Sequence, residues 1–74
     1  MTELEEQLLD VWRRWPLDGQ RDRRLNAFAE LGLGETRALQ VINRLLSMPA
    51  AYRYDPVTVA RLRRLRDSRT RRPA

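Results

Sequence analysis

Six polar residues recur at helical spacing in the middle of this chain: Thr36, Arg37, Gln40, Asn43, Arg44 and Ser47. At about 100° per residue they share one arc, roughly a third of the circumference, while Ala38, Leu39, Val41, Ile42, Leu45, Leu46 and Met48 fill the rest. No acid falls in the polar arc; Glu35 lies off it, in the first turn. Such a face suits the major groove of DNA. Gln and Asn side chains match the adenine edge, Arg matches guanine and phosphate, and hydroxyls pair with either, whereas a carboxylate would be repelled by phosphate. By itself the same arc equally suits a solvated face of a small bundle, so the rest of the chain has to decide between the two.

A second set of residues supplies charge. Arg61, Arg63, Arg64, Arg66, Arg69, Arg71 and Arg72 crowd the last fourteen positions against one acid, Asp67. The formal net charge of +5 is therefore a C-terminal property, because residues 1–60 hold eight arginines and nine acids. Every basic residue is Arg and none is Lys, a bias that a GC-rich genome also produces. The guanidinium forks suit phosphate oxygens. Seven like charges packed so closely repel one another unless an anionic partner is present.

The composition narrows the chemistry further. With 74 residues the chain makes one small domain, and its core is marginal unless it packs tightly or the protein associates. No Cys and no His occur, so disulfides, metal ligation by these residues and His-based acid–base catalysis are excluded. Gly32 and Gly34 lack the rest of any phosphate-loop motif, and no paired-carboxylate cleft is evident. An enzyme is not expected, and neither is a cofactor. The acidic start (Glu3, Glu5, Glu6, Asp10) is unlike a signal peptide, and no apolar run is long enough to span a membrane, which predicts a soluble cytoplasmic protein.

The elements that must position these residues read as helices throughout. Thr2 with Glu5 has capping-box spacing, which predicts a first helix from about residue 3. Its stripe is Leu4, Leu8, Val11, Trp12 and Trp15, with Asp10 and Arg14 spaced as an i,i+4 pair, and Pro16 ends it. The two tryptophans are expected to anchor the core. A second helix is expected over about Gln20 to Leu31, with Leu25, Phe28, Ala29 and Leu31 as its apolar residues. Its early Arg21, Arg23 and Arg24 oppose the helix dipole, so either an anion lies nearby or Asp18, Asp22 and Glu30 neutralise them. Gly32-Leu33-Gly34 forms a turn in which Gly32 closes one helix in the left-handed conformation and Gly34 caps the next. Helix, glycine turn and helix together make a helix-turn-helix pattern. The third helix carries the polar arc and ends at Pro49. Pro49 to Tyr54 reads as a connector whose tyrosines pack back on the bundle. Asp55-Pro56 starts a fourth helix with the stripe Val59, Leu62 and Leu65. Past Asp67 the apolar periodicity stops. The expected fold is thus all-α: a compact bundle of four short helices containing a helix-turn-helix over residues 1–66, with a disordered arginine-rich tail over 67–74.

Several of these features occur together in a known pattern: Trp12, Arg13 and Trp15; Gly32-Leu33 and Thr36-Arg37; Gln40, Asn43, Leu45 and Leu46; Pro49-Ala50; and Asp55-Pro56, Val59 and the block Arg61-Leu62-Arg63-Arg64-Leu65-Arg66 with Arg69. In these positions, over residues 8–72, the chain resembles a family of small helix-turn-helix domains of unknown function from actinobacteria and their phages. The Asp-Pro followed by the Arg-Leu-Arg-Arg-Leu-Arg block is the most specific part. The family tends to carry aromatics where this chain has Ala38 and Leu39, and Ser or a similar cap where it has Gly34. The resemblance implies the fold and DNA binding, and it implies no particular biological role.

The leading expectation is a double-stranded DNA-binding protein, a small transcriptional regulator or a nucleoid-type factor. Thr36, Arg37, Gln40, Asn43, Arg44 and Ser47 would contact bases and phosphates, and Arg61, Arg63, Arg64, Arg66, Arg69, Arg71 and Arg72 would hold the backbone. The alternative is a protein-interaction module that binds a host protein such as a transcription component, motivated by an acidic first helix and a basic last one. A homodimer is open in either case.

Overall fold

The computed structural model describes residues 1–70, with side chains through residue 68. Five α-helices follow one another with no strand among the described residues: α1 (Glu3–Arg14), α2 (Arg21–Glu30), α3 (Glu35–Leu45), α4 (Pro49–Tyr54) and α5 (Pro56–Thr70), with one 3-10 turn (Asp18–Gln20) between α1 and α2. The all-α expectation holds. None of these helices is long and apolar enough to cross a membrane.

Each helix start follows from local sequence. Thr2 closes the capping box on α1: its hydroxyl accepts from Glu5 N at 3.2 Å, and its own N–H donates to Glu5 Oε1 at 2.7 Å. The turn before α2 is tied by Leu17 N–H donating to Gln20 Oε1 at 3.0 Å. Gly32 adopts φ +79°. This lets Gly32 N–H reach Ala29 O and Leu33 N–H reach Phe28 O, the paired bonds that close a helix with a left-handed residue. Asp55 caps α5, with Oδ1 accepting from Thr58 N at 3.1 Å.

α1 is the central element, lying against α2, α3 and α5, while α2 packs on α3 and α4 on α5. The core joins Leu8, Leu9 and Val11 of α1 to Phe28, to Ala38, Val41, Ile42 and Leu45 of α3, and to Ala51, Val59 and Leu62. Trp12 and Trp15 pack against this cluster as partly buried rings, as their stripe predicts. Tyr54 returns to the bundle, its hydroxyl donating to Asp10 Oδ1 at 2.9 Å.

Several expectations need correction. The bundle has five helices, not four, because the connector at Pro49–Tyr54 is itself a helix. Proline at the first helical position has its φ pre-set for a helix and lacks only an N–H that would be unpaired there anyway, so Pro49 starts α4. α3 has already ended at Leu45, and Ser47 N and Met48 N bond back to Arg44 O and Leu45 O in the intervening turn. The boundary expected at residue 67 is not a break, since α5 continues through Thr70; the remainder of the expected tail, 71–74, lies outside the described residues. Asp10 pairs with Arg13 at 3.4 Å, one residue short of the expected Arg14. Arg14 instead stacks its guanidinium on the Trp15 ring at 4.7 Å.

Arg21 and Arg24 of α2 hydrogen-bond groups other than Asp18, Asp22 and Glu30, while Asp22 and Asp18 still favour their charge through space. Arg21 clamps Glu35 with two bonds, Nε to Oε2 at 2.9 Å and Nη2 to Oε1 at 2.6 Å. Arg24 is buried and donates from Nη1 to Trp15 O at 2.8 Å and Leu17 O at 2.7 Å, while its guanidinium lies over the Trp12 ring at 4.2 Å. Burial lowers its pKa. The two carbonyls and the ring face meet the charge where water does not.

This packing sets three expected outcomes. Gly32→Ala forces a Cβ into the left-handed region and should lower unfolding stability by about 1–2 kcal/mol, read by urea denaturation. Arg24→Met keeps the length, strands Trp15 O and leaves Leu17 O with Gln20 N–H alone; the loss should be about 1–3 kcal/mol, with the Trp12 fluorescence environment changed at the same time. The third concerns pH. The Thr2 backbone N–H, foremost, and Arg44 hold the Glu5 carboxyl below its ordinary 4.5, and Arg21 does the same for Glu35. A carboxyl with a depressed folded-state pKa stabilises above its unfolded value and loses that contribution as pH falls through the folded one. Stability should therefore drop as pH falls below 4.5, and the drop should be shallower in Glu5→Gln, measured as urea midpoints across that range.

Candidate functional site

The polar arc of α3 is exposed as the sequence predicts: Thr36, Arg37, Gln40 and Asn43, Arg44 and the following Ser47 all face solvent. Gly34 starts the helix in extended backbone, and Ala38, Val41, Ile42 and Leu45 pull the opposite face into the core. The bidentate grip of Arg21 on Glu35 holds the helix's single carboxylate and offsets its charge. Leu39 departs from the expected pattern. It belongs to the apolar arc by its type, yet it is 43% exposed and sits beside the polar residues.

The reason lies in α5. Residues of α5 face α3 across an open cleft of about 560 Å³. Thr36, Leu39, Gln40 and Asn43 form one wall, Leu62, Leu65 and Arg66 the other, and Trp12 of α1 lies beneath. Leu65, expected to complete the core stripe of its helix, is 45% exposed here. A second cleft of about 340 Å³ places Ser47 with Arg53 of α4 and Arg63 of α5. Residues far apart in sequence are thus neighbours in space: Thr36, Gln40 and Asn43 with Arg66, and Ser47 with Arg63.

The other candidates are placed differently. Arg44 turns toward α1 and pairs with Glu5, Nη2 to Oε2 at 3.2 Å, while 64% of its side chain stays exposed. Arg37 is exposed and forms no ion pair among the described residues. Arg64 is exposed and Arg61 half-buried, and neither lines the two clefts. Arg66 also lies 3.6 Å from Asp67. The Arg69 side chain, and Arg71 and Arg72, lie outside the described residues.

Two residues of the site are not evident from the sequence pattern. Arg53 shares the second cleft with Arg63, and its position in a short stretch that looks like a connector conceals it. Arg24 supports the first cleft from below by holding Trp12. Its signal is present: Arg24, Phe28 and Leu31 recur at i, i+4 and i+7, which places the arginine on the apolar face of α2. A charge at such a position is easily read as solvated when it is in fact buried.

No curated protein and no solved structure matches the chain. The family model described as a protein of unknown function, DUF3263, matches residues 1–73, nearly the whole length. The chain belongs to the DUF3263 family.

Proposed function

We propose that this protein binds double-stranded DNA, with α2, the glycine turn and α3 acting as a helix-turn-helix. The observation that carries the reading is the meeting of two residue sets, the uncharged polar side chains of α3 and the turn after it with the arginines of α4 and α5, in two clefts that share Leu46. α3 enters the major groove along its exposed edge. Gln40 and Asn43 have the amide geometry that pairs with adenine, and Arg37 has the fork that pairs with guanine. Arg53, Arg63, Arg64 and Arg66 meet phosphates on the flanking backbone, where they provide affinity without sequence information. Arg44 offers its remaining N–H groups to phosphate while it holds Glu5. The biological role that fits is a small transcriptional regulator or nucleoid-type factor of an actinobacterium or its phage, acting on the nucleoid as a binding protein without catalysis.

The test is fluorescence anisotropy with labelled duplexes over a range of salt. Arg63→Ala, Arg64→Ala and Arg66→Ala combined should weaken binding on every sequence. The combined change should also flatten the dependence of log K on log salt by about one unit for each phosphate that is no longer neutralised. Gln40→Ala should leave that slope unchanged and alter which sequences are preferred, by about 1–3 kcal/mol at the affected base pair. Absence of binding at low salt, or an unchanged slope in the triple variant, would sink the reading.

A further inference from the structure

DNA contact does not account for the leucines in the walls of the α3–α5 cleft. Phosphates gain nothing from Leu39, Leu62 and Leu65, and two of these leucines stay almost half exposed although the core of so small a chain is marginal. We infer that this cleft is a docking groove for an amphipathic helix of a protein partner, one whose apolar side chains at i, i+3 and i+7 are bordered by Asp and Glu. The inference stands on the cleft itself and does not rest on DNA binding.

Shape and charge select that occupant. The cleft is open and walled by two helices, the form in which an apolar helical stripe is accepted. Its volume of about 560 Å³ has room for more than one large apolar side chain. The charged residue that lines it is Arg66, no carboxylate does, and the one acid of α3, Glu35, is clamped by Arg21. Acidic flanks on the incoming helix complement that charge and select against basic ones. A second copy of the chain fits less well. Its α5 would bring arginines against arginines, and its acidic α1 has already committed Leu8, Leu9 and Val11 to its own core.

The test uses full-length protein carrying Trp15→Phe, so that Trp12 is the remaining tryptophan reporter. Three alanine-based helical peptides are titrated: one with Leu at i, i+3 and i+7 and Glu flanks, one with the same leucines and Lys flanks, and one of the first composition with the leucines scattered. The Glu-flanked stripe should give a saturable shift of Trp12 emission, and the other two should bind at least about tenfold more weakly. Leu39→Ala with Leu65→Ala alters half-exposed side chains only; with an unchanged helical circular dichroism spectrum and Tm it should lose binding by a similar factor. The inference is overturned if the Glu-flanked peptide does not bind, if all three bind alike, or if the double variant binds as before. It is also overturned if sedimentation shows a dimer that the double variant abolishes, since a second copy would then be the occupant. DNA affinity is measured separately, so either result can fail while the other stands.

Discussion

Arg24 is a cation removed from water, and the corner it occupies depends on how that charge is met. Its Nη1 bonds two main-chain carbonyls of the α1–α2 connection, Trp15 O and Leu17 O, and its planar face rests on Trp12. The carbonyls belong to the end of α1 and the loop after it, where helical partners run out, so the guanidinium supplies the donor to Trp15 O and a second donor to Leu17 O, which also accepts from Gln20 N–H at 3.0 Å. The same contact fixes the plane of Trp12, which reaches from the α1–α2 corner to the underside of the α3–α5 cleft. A side chain of α2 thus contacts a ring that lines the cleft between α3 and α5.

Salt bridges around α3 act at its two ends. Arg21 holds Glu35 at the start, and Glu5 of α1 holds Arg44 near the end. The arginine of each pair is exposed, while Glu35 is half-buried and Glu5 buried. Their effect is on the charge pattern: the only acid of the helix and one of its two arginines are engaged with α2 and α1, so the stretch facing α5 is left with uncharged polar groups and leucine. The positive charge of the surface is then supplied from α4 and α5. A duplex and an acidic helix would both meet that division of labour, the first through the outer arginines and amides, the second through the leucines between them.

Much of the fold was legible in local sequence. Thr2 with Glu5, Gly32 between two apolar stripes, and Asp55-Pro56 each name a helix end through a short-range hydrogen bond or a single backbone angle, and all three behave accordingly. Pro49 was legible only in part, since a proline that ends one helix can equally begin the next. The polar arc of α3 was visible for the same local reason, because a helical wheel needs nothing beyond its own residues. What misled was residue type taken as burial. Leu39 and Leu65 are apolar and exposed, and Arg24 is charged and buried.

The amino-acid sequence alone therefore determined the all-helical architecture, the ends of most helices, the polar face of α3 and the concentration of arginine at the C-terminus. Each of these is a property of residues within a turn or two of one another. Only the tertiary structure decided that α5 lies beside α3, that Gln40 and Asn43 share a cleft with Arg66, and that Ser47 shares one with Arg53 and Arg63. It also decided that Arg44 belongs to Glu5 and Arg24 to Trp12. Those pairings join residues that local periodicity cannot relate. They depend on how α1, buried against three other helices, orients each of them about itself.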